Sequence, residues 1–266
     1  MLDMLSGESC LYPILGDPIR FVRSPQRLTA RFAEIGHNGI CVPMQVPEGA
    51  LAEVVRGLGW VPNVRGLLIT MPHKHAMFGY CATASETAKL LGVVSVVRRN
   101  EDGRWHGEML DGVAFVAALR KQGTRPEGAR VLQVGAGGAG SAIAIALLDA
   151  GVGELVLHDA NRSRGEELVR LLSGLDRGCV VVGAADPTGF DIVVNATPMG
   201  MSSDDPLPVG ADLLRSSMFV GDVVAGHGVT PLLQAARAAG CQTADGFQMV
   251  EAGIEIMPEF LLGTRN

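Results

Sequence analysis

Residues 131–148 read VLQVGAGGAGSAIAIALL. A short, largely apolar run fit for a buried strand meets glycines at 135, 137 and 140, and an alanine- and isoleucine-rich helical stretch follows. These glycines stand in G-x-G-x-x-G register between strand and helix, where each has a task. Gly135 allows the tight turn, Gly137 lets backbone N–H groups approach a pyrophosphate, and Gly140 lets helix and strand pack closely. The helix N-terminus adds partial positive charge for the phosphates. A glycine-rich turn without a ligand is the alternative, and a carboxylate downstream weighs against it. Asp159 closes the apolar run Glu154–Asp159, about twenty residues on, where an acid accepts hydrogen bonds from both ribose hydroxyls of NAD and repels a 2′-phosphate. Arg162 and Arg164 follow it and carry the chemistry that reads NADP, unless they are simply solvated at the start of the next helix. The acid holds the strand-end position, so NAD is the expected cofactor rather than NADP.

Outward from this motif, short apolar runs alternate with helical patterns, the signature of βαβ units on a parallel sheet. The runs are Val131–Gly135, Glu154–Asp159, Cys179–Gly183, Asp191–Ala196 and Met218–Val224. Helices are expected over Ala139–Ala150, Arg164–Leu175 and Pro231–Ala239, the last entered through Thr230 with proline in its first turn. Upstream, strands at Leu11–Leu15, Gly39–Val46, Gly66–Thr70 and Gly92–Arg99 and helices at Pro25–Ile35 and Leu51–Leu58 suggest a smaller α/β lobe. Trp105–Gly123 is expected to be a helix bridging the two. The expected fold is α/β. Residues 1–104 form one lobe, to which a C-terminal helix over 246–266 returns, and 105–245 form a doubly wound dinucleotide-binding domain.

Composition excludes several classes. A net charge of −6 with no basic run longer than Arg98-Arg99 gives nothing to neutralise a phosphate backbone, so nucleic acid is not an expected partner. The start, MLDMLSGESC, has an acid where an export signal has basic residues, and it lacks an apolar core, so a cytoplasmic protein is expected. Val134–Leu148 is too short and glycine-rich to span a bilayer. The five cysteines are far apart and suggest reduced thiols. His73-Lys74-His75 lacks the i, i+4 spacing of a helical metal site and a third ligand nearby, so no metal is expected.

Further strings carry a resemblance along nearly the whole chain. They are ILGDPIRFVRSP (14–25), LLITMPHK (67–74), LLGVVSVV (90–97), GEMLDG (107–112), GAGGAG (135–140), NATPMGM (195–201), VTPLLQAARAAG (229–240) and DGFQM (245–249). In these the chain resembles the shikimate dehydrogenase family. The resemblance implies a substrate lobe ahead of a Rossmann lobe, with the active site in the cleft between them. It places the catalytic lysine on Lys74 and its partner aspartate on Asp111, a pair able to share the proton that leaves a substrate hydroxyl as hydride moves to nicotinamide. It places the cofactor against Gly135, Ala136, Gly137, Gly138, Ala139 and Gly140, against Asp159, Ala160 and Arg164, and against Asn195, Ala196, Thr197, Pro198 and Met199.

The departures are informative. The family's S-x-S is Val22-Arg23-Ser24, its N-V-T is Leu68-Ile69-Thr70, and its G-A-V-N-T is Gly92-Val93-Val94-Ser95-Val96. The N-T ahead of the aspartate is Met109-Leu110, while Ala225 and Gly253 stand where tyrosine and glutamine are expected. Ser24, Thr70, Ser95 and Arg23 remain as polar substrate contacts. The expected function is NAD-dependent oxidation of a small-molecule cyclic alcohol or hydroxy acid near quinate and shikimate metabolism, by a monomer or homodimer, with weak activity on shikimate itself. An ordinary shikimate or quinate dehydrogenase is the second reading, and a non-catalytic nucleotide-binding regulator is a third.

Overall fold

The structure is a computed structural model that describes residues 5–202, 204–226 and 228–264. Asp3 of the N-terminal string and residues 265–266 of the expected C-terminal helix lie outside the described residues. The chain divides into two compact units, Met1–Leu110 with Gly253–Asn266, and Asp111–Ala252.

The first unit runs β1 (Cys10–Gly16), α1 (Ser24–Glu34), β2 (Gly39–Gln45), α2 (Leu51–Gly59), β3 (Gly66–Ile69), α3 (Lys74–Phe78), β4 (Cys81–Ala84), α4 (Glu86–Leu91), β5 (Val96–Arg99) and β6 (Trp105–Glu108). Its six strands are ordered β2-β1-β3-β5-β6-β4. β1 pairs in parallel with β2 and β3, whereas β3–β5 and β5–β6 are antiparallel. α1 begins with Pro25 in its first turn and turns Leu28 and Phe32, four apart, into the core.

Three expectations are corrected here. The strand expected over Gly92–Arg99 starts only at Val96, because Gly92 at φ 63° is the left-handed end of α4, a helix opened by the Ser85 hydroxyl accepting from Ala88 N. The helix expected over Trp105–Gly123 is two elements, β6 and then α5 (Asp111–Lys121). Trp105–Glu108 alternates buried and half-buried residues with period two. Gly107 lets the strand approach its neighbours closely, since a Cβ there would sit 2.5 Å from Val94 Cγ1. The first unit therefore extends to Leu110, past the boundary at 104 drawn from the sequence.

After α5 the second unit continues β7 (Arg130–Val134), α6 (Gly138–Asp149), β8 (Glu154–His158), α7 (Arg162–Ser173), β9 (Cys179–Val182), β10 (Ile192–Asn195), β11 (Phe219–Asp222), α8 (Pro231–Ala238) and β12 (Gln242–Ala244). The last helix, α9, spans Gly246–Leu261. The six strands are all parallel in the order β12-β11-β10-β7-β8-β9. Counting from β7, this is the doubly wound Rossmann order, which reverses direction between β7 and β10. Ligands of such sheets bind beyond the carboxyl ends of the strands at that reversal. Leu132, Val134, Val193 and Val220 from three adjacent strands form its apolar centre. Among the described residues no helix is long and apolar enough to cross a membrane, and no group of three or more His, Cys, Asp or Glu could hold a metal ion.

Candidate functional site

At the reversal point, β7 gives way to the glycine turn. Gly135 has φ 108°, and a Cβ on it would stand 2.7 Å from the Ala196 carbonyl carbon after β10. A Cβ on Gly140 would stand 2.3 Å from the Gly135 oxygen, so α6 can start against the turn only with glycine there. A Cβ on Gly137 would meet nothing within 4 Å, so the space beside its backbone is open to an approaching group. α7 and α8 are capped by the side chains of Asn161 and Thr230, whereas α6 begins on Gly137 without a side-chain cap or an acidic residue in its first turn. Its first-turn amides have no acceptor four residues back. Together these features fit the pyrophosphate of a dinucleotide.

The turn is held from below and from the side. Gln133, fully buried in β7, donates through Nε2 to the carbonyls of Gly135 and Gly140 at 2.9 and 2.8 Å. Asp159, just past β8, accepts from Ala136 N through Oδ2 and from Asn161 N through Oδ1, both at 2.8 Å. Its side chain is 8% exposed, and Arg164 Nη1 lies 3.8 Å from Oδ2. Each carboxylate oxygen keeps a second lone pair for a ribose hydroxyl. Arg162 is engaged with Glu166 one turn along α7 at 2.7 Å.

The segment after β10 is a closed network. Asn195 is fully buried, with Nδ2 donating to Met199 O and Asp222 Oδ1 and with Oδ1 accepting from Thr197 N and Oγ1. Asp222 also accepts from Val224 N and the Thr230 hydroxyl. Burial pushes the Asp222 carboxyl above its ordinary range, and the hydrogen bonds from Thr230, Val224 and Asn195 oppose that shift. The side chains of Asn195 and Thr197, expected against the cofactor, are thus spent on folding their own loop. The loop's own backbone is engaged as well, with Ala196 N donating to Val134 O, Met199 N donating to Thr197 Oγ1 and Met199 O accepting from Asn195 Nδ2. Sequence reasoning missed Gln133, Asp222 and Thr230, whose signal is a polar residue inside an apolar strand or at its end.

In the first unit, Lys74 opens α3 and is half-buried. His73, 1% exposed, binds Val46 O through Nε2 at 2.7 Å, and Val94 N donates to Lys74 O at 3.1 Å. The next residue, Ser95, accepts from Leu110 N through its hydroxyl at 2.9 Å, and its backbone N–H donates to Glu108 O. The dipeptide Val94–Ser95 therefore fixes both the lysine turn and the residue that precedes Asp111. Ser95, expected to touch substrate, is 7% exposed and serves this tether first. Thr70 and Ser24 are half-buried and Arg23 is exposed. Among the altered positions, Leu68 is 2% exposed within β3, while Val22 and Ala225 are half-buried.

Three comparisons fit this geometry. The family profile described as the Shikimate dehydrogenase substrate binding domain matches residues 14–97. The NADP(+) shikimate dehydrogenase of Rubrobacter xylanophilus is 38% identical over 257 residues, 94% of this chain and 90% of that one. Two solved structures superpose on nearly the whole chain. Ligand-free 5-ketofructose reductase of Gluconobacter sp. strain CHM43 has a TM-score of 0.86 and 29% identity, covering 97% of this chain and 94% of that one. Quinate dehydrogenase of Corynebacterium glutamicum in complex with NAD has a TM-score of 0.84 and 30% identity, covering 96% and 94%.

Proposed function

The chain belongs to the shikimate/quinate dehydrogenase family, an oxidoreductase of the CH–OH class with a nicotinamide cofactor, and from that premise we propose that it uses NAD to oxidise a small cyclic alcohol or hydroxy acid other than shikimate. Lys74 and Asp111 are the proposed proton-handling pair. The observation that carries this reading is the Val94–Ser95 tether, which retains a frame for Lys74 and for the approach to Asp111 while the residues expected to read hydroxyls are gone. A nicotinamide dinucleotide held by the glycine turn at 135–140 and by Asp159 would supply the hydride acceptor for the carbinol carbon. Lys74 and Asp111 take up and share the hydroxyl proton. Ser24, Thr70 and Arg23 orient the substrate's polar edge.

NAD is favoured by Asp159, whose fixed carboxylate can meet ribose hydroxyls but opposes a 2′-phosphate. Arg162 and Arg164, the groups that could read such a phosphate, both face acids of this chain. The Arg162 pair is exposed and the Arg164 contact is long at 3.8 Å, so neither counts for much and the acid decides. The NAD-bound quinate dehydrogenase accords with this, and the NADP-named relative from Rubrobacter points the other way.

Removing a buried hydrogen-bonding partner costs about 1–3 kcal/mol, and a site selective for hydroxyls discriminates only while its polar groups remain. Leu68, Val22, Ala225 and Gly253 therefore favour a less hydroxylated or bulkier ring. A second reading, an ordinary shikimate dehydrogenase, draws on the 38% identity to the Rubrobacter protein. A panel of alicyclic and aromatic hydroxy acids, followed by NADH absorbance, separates the two. The proposal expects turnover concentrated on members with few hydroxyls and little on shikimate, and dominance of shikimate or quinate would replace it with the second reading.

A further inference from the structure

β7 lies between β10 and β8 in a parallel sheet, a place normally filled by unbroken apolar sequence. Gln133 breaks that run while fully buried, and its Oε1 is buried with no hydrogen-bond partner. Its orientation is fixed, because both atoms facing the amide are carbonyl oxygens and only Nε2 can serve them. An unsatisfied buried acceptor carries a desolvation penalty with nothing to offset it, so Gln133 is a costly choice for the core. Such local inconsistencies mark positions kept for function.

We infer that Gln133 is a positioning residue for the dinucleotide, setting the glycine turn in its binding conformation before the cofactor arrives. A trans peptide directs its C=O and N–H in opposite directions. The unit joining Gly135 to Ala136 is gripped at both ends, by Gln133 Nε2 on the carbonyl and by Asp159 Oδ2 on the N–H. The second Gln133 bond fixes Gly140 O at the first turn of α6. Between these clamps lie Gly137, Gly138 and Ala139, whose amides are placed for the pyrophosphate. A loop ordered beforehand loses less freedom on binding, which appears as affinity.

This inference rests on the reading of the loop as a nicotinamide-dinucleotide site, and its test separates the two. Gln133→Met keeps the volume and removes the donors. Calorimetry with NAD, NADP and ADP-ribose should show about a tenfold weaker Kd for all three by the same factor, leaving the NAD-to-NADP ratio unchanged. At saturating NAD, kcat should change less than twofold. The melting temperature of the cofactor-free variant should fall by no more than a few degrees, because losing the orphaned acceptor offsets part of what is lost with the bonds to Gly135 O and Gly140 O. Unchanged affinities, or a larger fall in melting temperature with a comparable loss of kcat, would overturn the inference and leave Gln133 a packing residue. A parent protein that binds none of the three would instead overturn the reading of the site itself. Should Gln133→Met not accumulate, Gln133→Leu carries the same expectations.

Discussion

On the proposed function, the turn after β7 and the segments of the first unit assigned to substrate would meet their ligands by different means. The turn works with its backbone. Gly135 is required by its left-handed φ and Gly140 by its close approach to the Gly135 oxygen, Gly137 leaves an open face, and the surrounding side chains hold that backbone in shape. The first unit works with side chains on a frame of backbone tethers. There Val94–Ser95 supplies the frame, while Leu68 and Val22 occupy positions expected to be polar. A backbone site leaves little room for substitution, whereas a side-chain site can be rewritten one residue at a time without disturbing the frame.

The sharpest break between the two regions is Lys74→Ala. If Lys74 has its proposed proton-handling role, its loss should reduce kcat by about 10²–10⁴-fold, while calorimetric NAD affinity stays within twofold. Loss of both together would mean that the two regions are not separable in this way.

Asp159 sharpens the comparison from the other side. Asp159→Asn removes the charge but keeps an oxygen for Ala136 N, so the preference for NAD over NADP should narrow about tenfold, or about 1.4 kcal/mol. Asp159→Ala removes the loop bond as well, so both cofactors should bind more weakly while the preference narrows. Substrate KM at saturating NAD should be unaffected in either variant. Calorimetry with both cofactors and steady-state kinetics check each part. An unchanged NAD-to-NADP ratio would promote Arg162 and Arg164 to phosphate readers.

The smallest expected effect is in stability against pH. His37 and His106, both in the first unit, have their pKa lowered, by burial first and then by Arg65 and Arg98 respectively. A lowered folded pKa means the unfolded chain binds more protons below the ordinary value of 6.5, so this stability is present above 6.5 and is lost as pH falls. Asp222 in the second unit is raised, so its contribution runs the other way and fades as pH rises through the folded value. Hydrogen exchange at pH 5 and pH 7 should show the first unit opening more readily on acidification, with a smaller change in the second. His37→Gln combined with His106→Gln should flatten the first unit's response.

The same contrast explains what was legible in the sequence. The glycine spacing and Asp159 could be read because backbone geometry restricts residue type, and the strands of the second unit stand out as apolar runs. Trp105–Glu108 was read as helix because a four-residue strand holding a glycine is too short to show its period against the helix that follows. α3, β4 and α4 carry no expectation from the sequence for the same reason of length. Ser95 and Asn195 looked like ligand contacts, and their inward bonds to Leu110, Asp222 and Thr197 depend on partners distant in sequence or on turn geometry. Gln133 carried a signal, a lone amide in a buried strand, but its partners emerge only once the turn is folded.

The most direct test of the contrast between a kept cofactor site and a rewritten substrate site is steady-state kinetics with shikimate at saturating NAD. Two or three lost polar partners, even if their effects do not add fully, predict kcat/KM about a thousandfold below an ordinary enzyme value on the order of 10⁴ M⁻¹ s⁻¹. A value at or above that ordinary level would show that Val22, Leu68, Ala225 and Gly253 cost shikimate nothing, and that both halves of this chain serve the same reaction as its shikimate-named relatives.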